Sequence, residues 1–241
     1  MRVVRVTLSQ SPLLPSHTFP PPSACSTSQA NLFPSCGASP GTSPKHLEAA
    51  RALAHTFHKN SISLIYGGGT IGLMGELART LVSLSGPSSV HGIIPAALMR
   101  YEQRRPSDPD GEPFIDEAIF GRTTVVKDMH TRKALMASHV AAGGPGSGFV
   151  ALSGGFGTLE ELMEVATWNQ LGIHDKGVCV FNVEGYWTKL LEWVKEAVGA
   201  GFISVANGGI LVEGRTPEEV VERLAAYRNS EERFRLEWGE S

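Results

Sequence analysis

A chain of 241 residues with 41% apolar and 19% charged side chains can bury one full hydrophobic core, and its 27 glycines and 15 prolines stay below the share that marks low complexity. A formal charge of -3, from 21 Lys and Arg against 24 Asp and Glu, leaves no basic excess for a polyphosphate backbone, so nucleic acid is not an expected partner. Cys25, Cys36 and Cys179 fit neither a disulfide framework nor a zinc knuckle, and no apolar run is long enough for a membrane span. A soluble protein of the reducing cytoplasm, with no membrane partner, is the expectation.

The N-terminal stretch stands apart. Of the 15 prolines, 8 fall within residues 1–44, where Arg2 and Arg5 are the only charges. Residues 1–30 read as a Pro/Ser-rich disordered extension; a transit peptide is the weaker alternative, because Pro12, Pro15 and Pro20 to Pro22 break any amphipathic helix. From about residue 31 to 228 the pattern is that of one folded domain. A helix is predicted from the Ser43 cap and Pro44 to about Asn60, with Leu47, Ala50, Leu53, Ala54 and Phe57 on one face. Short apolar runs then alternate with helical segments. Strands are expected at Ile62 to Tyr66, Val90 to Ile94, Thr123 to Val126, Phe149 to Leu152, Val178 to Phe181 and Ile210 to Val212. The helices between them are expected at Gly72 to Leu84, Asp128 to Ala141, Thr158 to Leu171, Tyr186 to Val198 and Pro217 to Tyr227. A charged tail follows at 229–241. Apolar strands alternating with helices predict an α/β fold, a Rossmann-like doubly wound parallel sheet with helices on both faces and ligands at the C-terminal strand edge.

Two strand-to-helix junctions are rich in glycine, at Tyr66 to Gly75 and at Leu152 to Glu161. Glycine lets backbone N–H groups approach an anion, and the helix that follows adds its positive end. Any turn of this type favours glycine, so the argument rests on there being two at the same sheet edge. Neither is a P-loop, since neither ends in Gly-Lys-Ser/Thr, and neither is expected to be a Gly-x-Gly-x-x-Gly dinucleotide site. Glu160 and Glu161 follow the second turn, placed by the helix prediction in the first helical turn. There they complement the helix dipole or, because a carboxylate beside a phosphate cradle repels the ligand's charge, serve catalysis. The run Lys127 to Lys133 opens another helix at the same edge, with Arg132 and Lys133 as cations near the glycine turns or on the solvated surface. His55 and His58 share a helix face but lack a third ligand, and read as surface residues.

Four blocks in order, Tyr-Gly-Gly-Gly-Thr-Ile-Gly-Leu-Met-Gly at 66–75, Asp-Met-His-Thr-Arg-Lys at 128–133, Gly-Gly-Phe-Gly-Thr-Leu-Glu-Glu at 154–161 and Thr-Trp-Asn-Gln-Leu-Gly-Ile-His-Asp-Lys at 167–176, resemble the LOG (Lonely Guy) family of cytokinin-activating phosphoribohydrolases. The resemblance runs from about Cys36 to Tyr227. It implies a homodimer or higher homo-oligomer that cleaves the N-glycosidic bond of N6-substituted adenosine 5'-monophosphates without metal or cofactor. By position it makes Arg132 and Glu161 catalytic. Gly154, Gly155, Gly157 and Thr158 would hold the 5'-phosphate, and Glu102, Met129, Lys133, Phe156, Glu160 and Thr167 would contact the nucleotide. A non-catalytic nucleotide sensor of the same fold is the alternative, and amino-acid decarboxylation a weaker one.

Three departures from the family pattern stand out. Ser153 replaces the motif's proline, and Gly143 to Gly148 reads as a lengthened surface loop. The first strand contains Pro34, which cannot donate to a central ladder; either Leu32 to Cys36 forms a degraded strand or Val3 to Leu8 takes its place.

Overall fold

The computed structural model describes residues 29–102, 113–234 and 236. Among the described residues seven strands form one sheet: β1 (Asn31–Ser35), β2 (Ser63–Tyr66), β3 (Val90–Pro95), β4 (Arg122–Val126), β5 (Gly148–Ala151), β6 (Gly177–Phe181) and β7 (Leu211–Gly214). Eight α-helices of the same residues accompany them: α1 (Pro44–Lys59), α2 (Gly72–Ser85), α3 (Ala96–Met99), α4 (Glu117–Phe120), α5 (Met129–Ala141), α6 (Phe156–Gln170), α7 (Thr188–Gly199) and α8 (Pro217–Ala225). The strand order is β4-β3-β2-β1-β5-β6-β7 and every pairing is parallel. The chain winds outward from β1 to β4, returns through α5, and winds the other way from β5 to β7. The reversal between β1 and β5 opens a crevice at their C-terminal ends, where this class of sheet binds ligands.

Alternation along each strand divides the core. Leu32, Leu64 and Ile94 join Leu53, Phe57, Leu77 and Leu81 on the face covered by α1, α2 and α8. Their neighbours Phe33, Ile65 and Ile93 join Met136, Val140, Leu162 and Val165 on the face covered by α5 and α6, with Trp187, Leu190 and Leu191 of the α7 region. Both faces of the sheet are therefore apolar, as a parallel sheet requires. Among the described residues no helix is long and apolar enough to cross a membrane.

The central slot belongs to β1, and Pro34 costs it little. The Ala30 carbonyl accepts from Ser63 N of β2, and the Ser35 carbonyl accepts from Leu152 N beyond β5. By alternation Pro34 faces β2, yet the β1–β2 register ends at Leu32 opposite Leu64. The missing N–H falls past the end of that ladder, while pairing to β5 runs through Ser35. The alternative strand at Val3 to Leu8 lies outside the described residues, as do Cys25 and most of the 1–30 segment.

The structure corrects several sequence-based expectations. Helix α6 begins two residues earlier than predicted, at Phe156 with Gly155 as its cap, so Glu160 and Glu161 fall in the second turn and there is no acid in the first. The dipole explanation for these acids is thereby removed. Residues Gly143 to Gly148 are not merely a surface loop. Ser147 is buried and its Oγ accepts from Asn31 N at 2.9 Å, while Gly144 N donates to Gln29 O, so the segment latches the start of β1. Helices α3 and α4, of 4 residues each, are too short to leave a periodic signal. After α8 the chain returns to α6, where Phe234 N donates to Gln170 O at 2.8 Å.

Candidate active site

The crevice between the ends of β1 and β5 is laced by the backbone, with Gly37 N donating to Ser153 O at 3.0 Å. Two side chains from distant helices meet there. Glu161 comes from the second turn of α6, and Arg132 from the first turn of α5, which packs across β1, β2 and β3. Asp128 caps α5 by accepting from Thr131 N at 2.7 Å, which fixes where the helix starts and hence where Arg132 points. Those hydrogen bonds from Thr131 also hold the Asp128 carboxyl below its ordinary range.

Arg132 Nη2 lies 3.4 Å from Glu161 Oε1, and the residues are only 8% and 9% exposed. The other carboxylate oxygen, Oε2, accepts from Ser35 Oγ at 2.7 Å. Arg132 Nη1 reaches Met129 Sδ at 3.7 Å, and Arg132 Nε is buried with no hydrogen-bond partner. A buried guanidinium holding an unspent donor beside a carboxylate is costly in a resting structure and useful once a polar ligand arrives. Burial, followed by the charge of Glu161, pushes the neighbouring Cys36 thiol well above its usual range. The pair therefore works beside a neutral thiol, not a thiolate nucleophile.

The two glycine turns do different work. Gly67, Gly69 and Gly72 in the first have Gly-x-Gly-x-x-Gly spacing, but they lie after β2 and serve close packing. A Cβ on Gly67 would sit 2.0 Å from Arg132 Nη2, one on Gly72 2.3 Å from the Ala38 carbonyl carbon, and one on Gly75 2.0 Å from Thr70 O. The second turn leaves space open. Gly154 is held against Thr158, whose Oγ1 a Cβ would meet at 2.1 Å, yet at Gly155 and Gly157 a side chain would meet nothing. No side chain caps α6, so the N–H groups of its first turn face that space. Phe156, 94% exposed, stands at its rim. Ser153, in place of the motif's proline, bonds His46 Nδ1 at 3.1 Å, and the Tyr186 hydroxyl donates to Gly154 O, so the turn is fixed by contacts that the sequence did not reveal.

The remaining sequence candidates fall around this centre. Lys133 bonds Glu160 at 2.7 Å and Glu164 at 2.9 Å. Burial alone would lower its pKa, but those two carboxylates prevail and hold the ammonium above its ordinary range. Glu102 accepts from the backbone N and hydroxyl of Thr70 and so braces the first turn. Met129 is half-exposed beside Arg132. Thr167 is exposed three turns along α6 from the cap, with its hydroxyl given to Met163 O. His55 and His58 are exposed, His58 bonding Ser85. Ser35 was missed because one serine in an irregular strand carries no motif; its signal is its place at the C-terminal end of β1.

A doubly wound parallel sheet with a buried arginine–carboxylate pair and an uncapped helix N-terminus at its switch point defines a Rossmann-like class of α/β protein. The family model described as "Possible lysine decarboxylase" matches residues 74–224. A bifunctional cytokinin biosynthesis protein of Fusarium pseudograminearum is 52% identical over 84% of this chain, which spans 41% of that protein. The cytokinin riboside 5'-monophosphate phosphoribohydrolase LOG3 of Arabidopsis thaliana is 43% identical over 82% of this chain and 83% of its own length. Among solved structures, the molybdenum cofactor carrier protein of Chlamydomonas reinhardtii superposes with a TM-score of 0.56 at 15% identity, covering 83% of this chain and 99% of that one, and shares the fold. The chain belongs to the LOG family.

Proposed function

We propose that the protein hydrolyses the N-glycosidic bond of N6-substituted adenosine 5'-monophosphates, releasing the free base and ribose 5-phosphate. The observation that carries this reading is the buried Arg132–Glu161 pair beside the open, uncapped start of α6. The backbone of Gly155 to Gly157 and Thr158 receives the 5'-phosphate, which sets the ribose next to Glu161. As the C1'–N9 bond breaks, its electron pair leaves with the base and positive charge grows on the ribose. The Glu161 carboxylate stabilises that charge and accepts a proton from the attacking water, whose oxygen bonds to C1'. The departing base takes up one proton from solvent and Glu161 returns its proton to solvent, so that one water is consumed overall and the carboxylate is restored. Arg132 orients the nucleotide and steadies the charge that develops.

Two rival readings lose support. The sensor alternative rested on a damaged first strand, and β1 is in place between β2 and β5. A decarboxylase that forms a Schiff base needs a lysine with a lowered pKa, whereas Lys133 is held charged by two carboxylates. We infer also a homo-oligomer in a reducing cytoplasm. Met129, Phe156 and Leu159, all exposed near the site, suit coverage by a second copy, and the buried Cys36 and Cys179 are free thiols.

Chromatography of isopentenyladenosine 5'-monophosphate incubated with the protein tests the reading. Free base and ribose 5-phosphate in equal amounts support it; binding without product contradicts it.

A further inference from the structure

The Glu161 carboxylate is held from two sides. Arg132 approaches Oε1 from α5, while Ser35, at the C-terminal end of β1, gives its hydroxyl proton to Oε2 at 2.7 Å. Ser35 is buried, and its own carbonyl is engaged by Leu152 N, so its backbone is fixed by the sheet and its hydroxyl has a fixed origin. Beneath the carboxylate the floor is apolar, built by Phe33, Phe149, Ala151, Leu162 and Val165. On that floor the Ser35 hydroxyl is the polar group that meets Glu161. The charged groups facing the carboxylate are Arg132 from α5 and, when ionised, the Cys36 thiol beside it on the β1 segment.

We propose that Ser35 is a positioning residue for hydrolysis: by anchoring Oε2 it fixes the rotation of the Glu161 carboxylate and presents Oε1 toward Arg132 and the reacting ribose. A carboxylate with one anchor rotates about its last bond, and with two it does not. The assignment rests on the hydrolase reading above.

The test compares Ser35→Ala and Ser35→Thr with the unaltered protein, measuring kcat and KM separately on isopentenyladenosine 5'-monophosphate. Ser35→Ala is expected to lower kcat about tenfold with KM within about twofold, the scale for one hydrogen bond to a charged group. Ser35→Thr restores the hydroxyl, and with it kcat. A folded Ser35→Ala protein with unaltered kcat overturns the proposal. So does a loss shared equally between kcat and KM, or one that Thr does not repair, since either assigns Ser35 to packing. Failure of the unaltered protein to release base at all overturns the hydrolase reading itself, and is recognised before any variant is made.

Discussion

Gly67 carries no side chain where Arg132 rests its guanidinium: a Cβ there would lie 2.0 Å from Nη2 and 2.9 Å from Cζ. The first glycine turn is thus the floor under Arg132. Gly67→Ala is expected to displace the guanidinium and lower kcat/KM about 100-fold, as misplacement of a catalytic group by about 1 Å does, while circular dichroism stays unchanged. Unaltered kinetics would show that Arg132 has no fixed position to defend.

Gly154 makes the corresponding demand in the second turn, where a Cβ would meet Thr158 Oγ1 at 2.1 Å, Thr158 Cβ at 2.7 Å and Gly37 N at 2.9 Å. Gly154→Ala should push Thr158 and the start of α6 away from the phosphate. An increase of roughly tenfold in KM, with a smaller change in kcat, is the expected result for lost ground-state binding. Titration with AMP by calorimetry checks the same point without turnover.

His174 gives the fold an acid limit. Its Nε2 contacts Val165 O at 2.8 Å and its Nδ1 accepts from Lys176 N at 3.2 Å, an arrangement that only the neutral ring satisfies. Burial lowers its pKa to about 4 from 6.5, and His91, buried against His139, is lowered to about 4 as well. Because the folded values are depressed, the unfolded chain binds more protons between pH 6.5 and 4. Stability is full above 6.5 and falls as pH drops through that window. Thermal melts across it should show a falling Tm, and His174→Gln, whose amide both donates and accepts, should flatten the slope. The loss at its acid end is on the order of 3 kcal/mol for His174. A Tm that is level over this range would contradict the assignment.

Removal of residues 1–28 should leave folding and turnover close to those of the full chain. The central slot is filled by Asn31–Ser35, and the contacts that tie its start, Gly144 N to Gln29 O and Ser63 N to Ala30 O, survive in a chain that begins at Gln29. An insoluble or inactive product would assign the removed segment to the sheet.

Much of this fold was legible because its signals are local. The Ser43–Pro44 start of α1 and the Thr216–Pro217 start of α8 are written in adjacent residues, and both caps form. Pro34 was misleading because its cost depends on where the neighbouring ladder stops, which no stretch of β1 encodes. The start of α6 was misplaced because Gly155 to Gly157 lower helix propensity, while the turn held by Tyr186 and Thr158 overrides it. In the site, resemblance to a family picked out Arg132 and Glu161. Their meeting, 29 positions apart, depends on α5 crossing back over the sheet. The resemblance makes Lys133 and Glu102 substrate ligands, and the structure adds that each is engaged with protein partners, Glu160 and Glu164 for one and Thr70 for the other.

The central claim is that Glu161 acts on the transition state, not on the bound nucleotide. Glu161→Gln keeps the size of the side chain and a group able to meet Ser35, but removes the charge. Single-turnover release of base from isopentenyladenosine 5'-monophosphate, measured beside the Kd for AMP, separates the two roles. A rate reduced by at least about 1000-fold with Kd within about threefold is the expected result, since only an interaction particular to the transition state lowers turnover selectively. Equal losses in rate and affinity, or a rate close to that of the unaltered protein, would contradict the account.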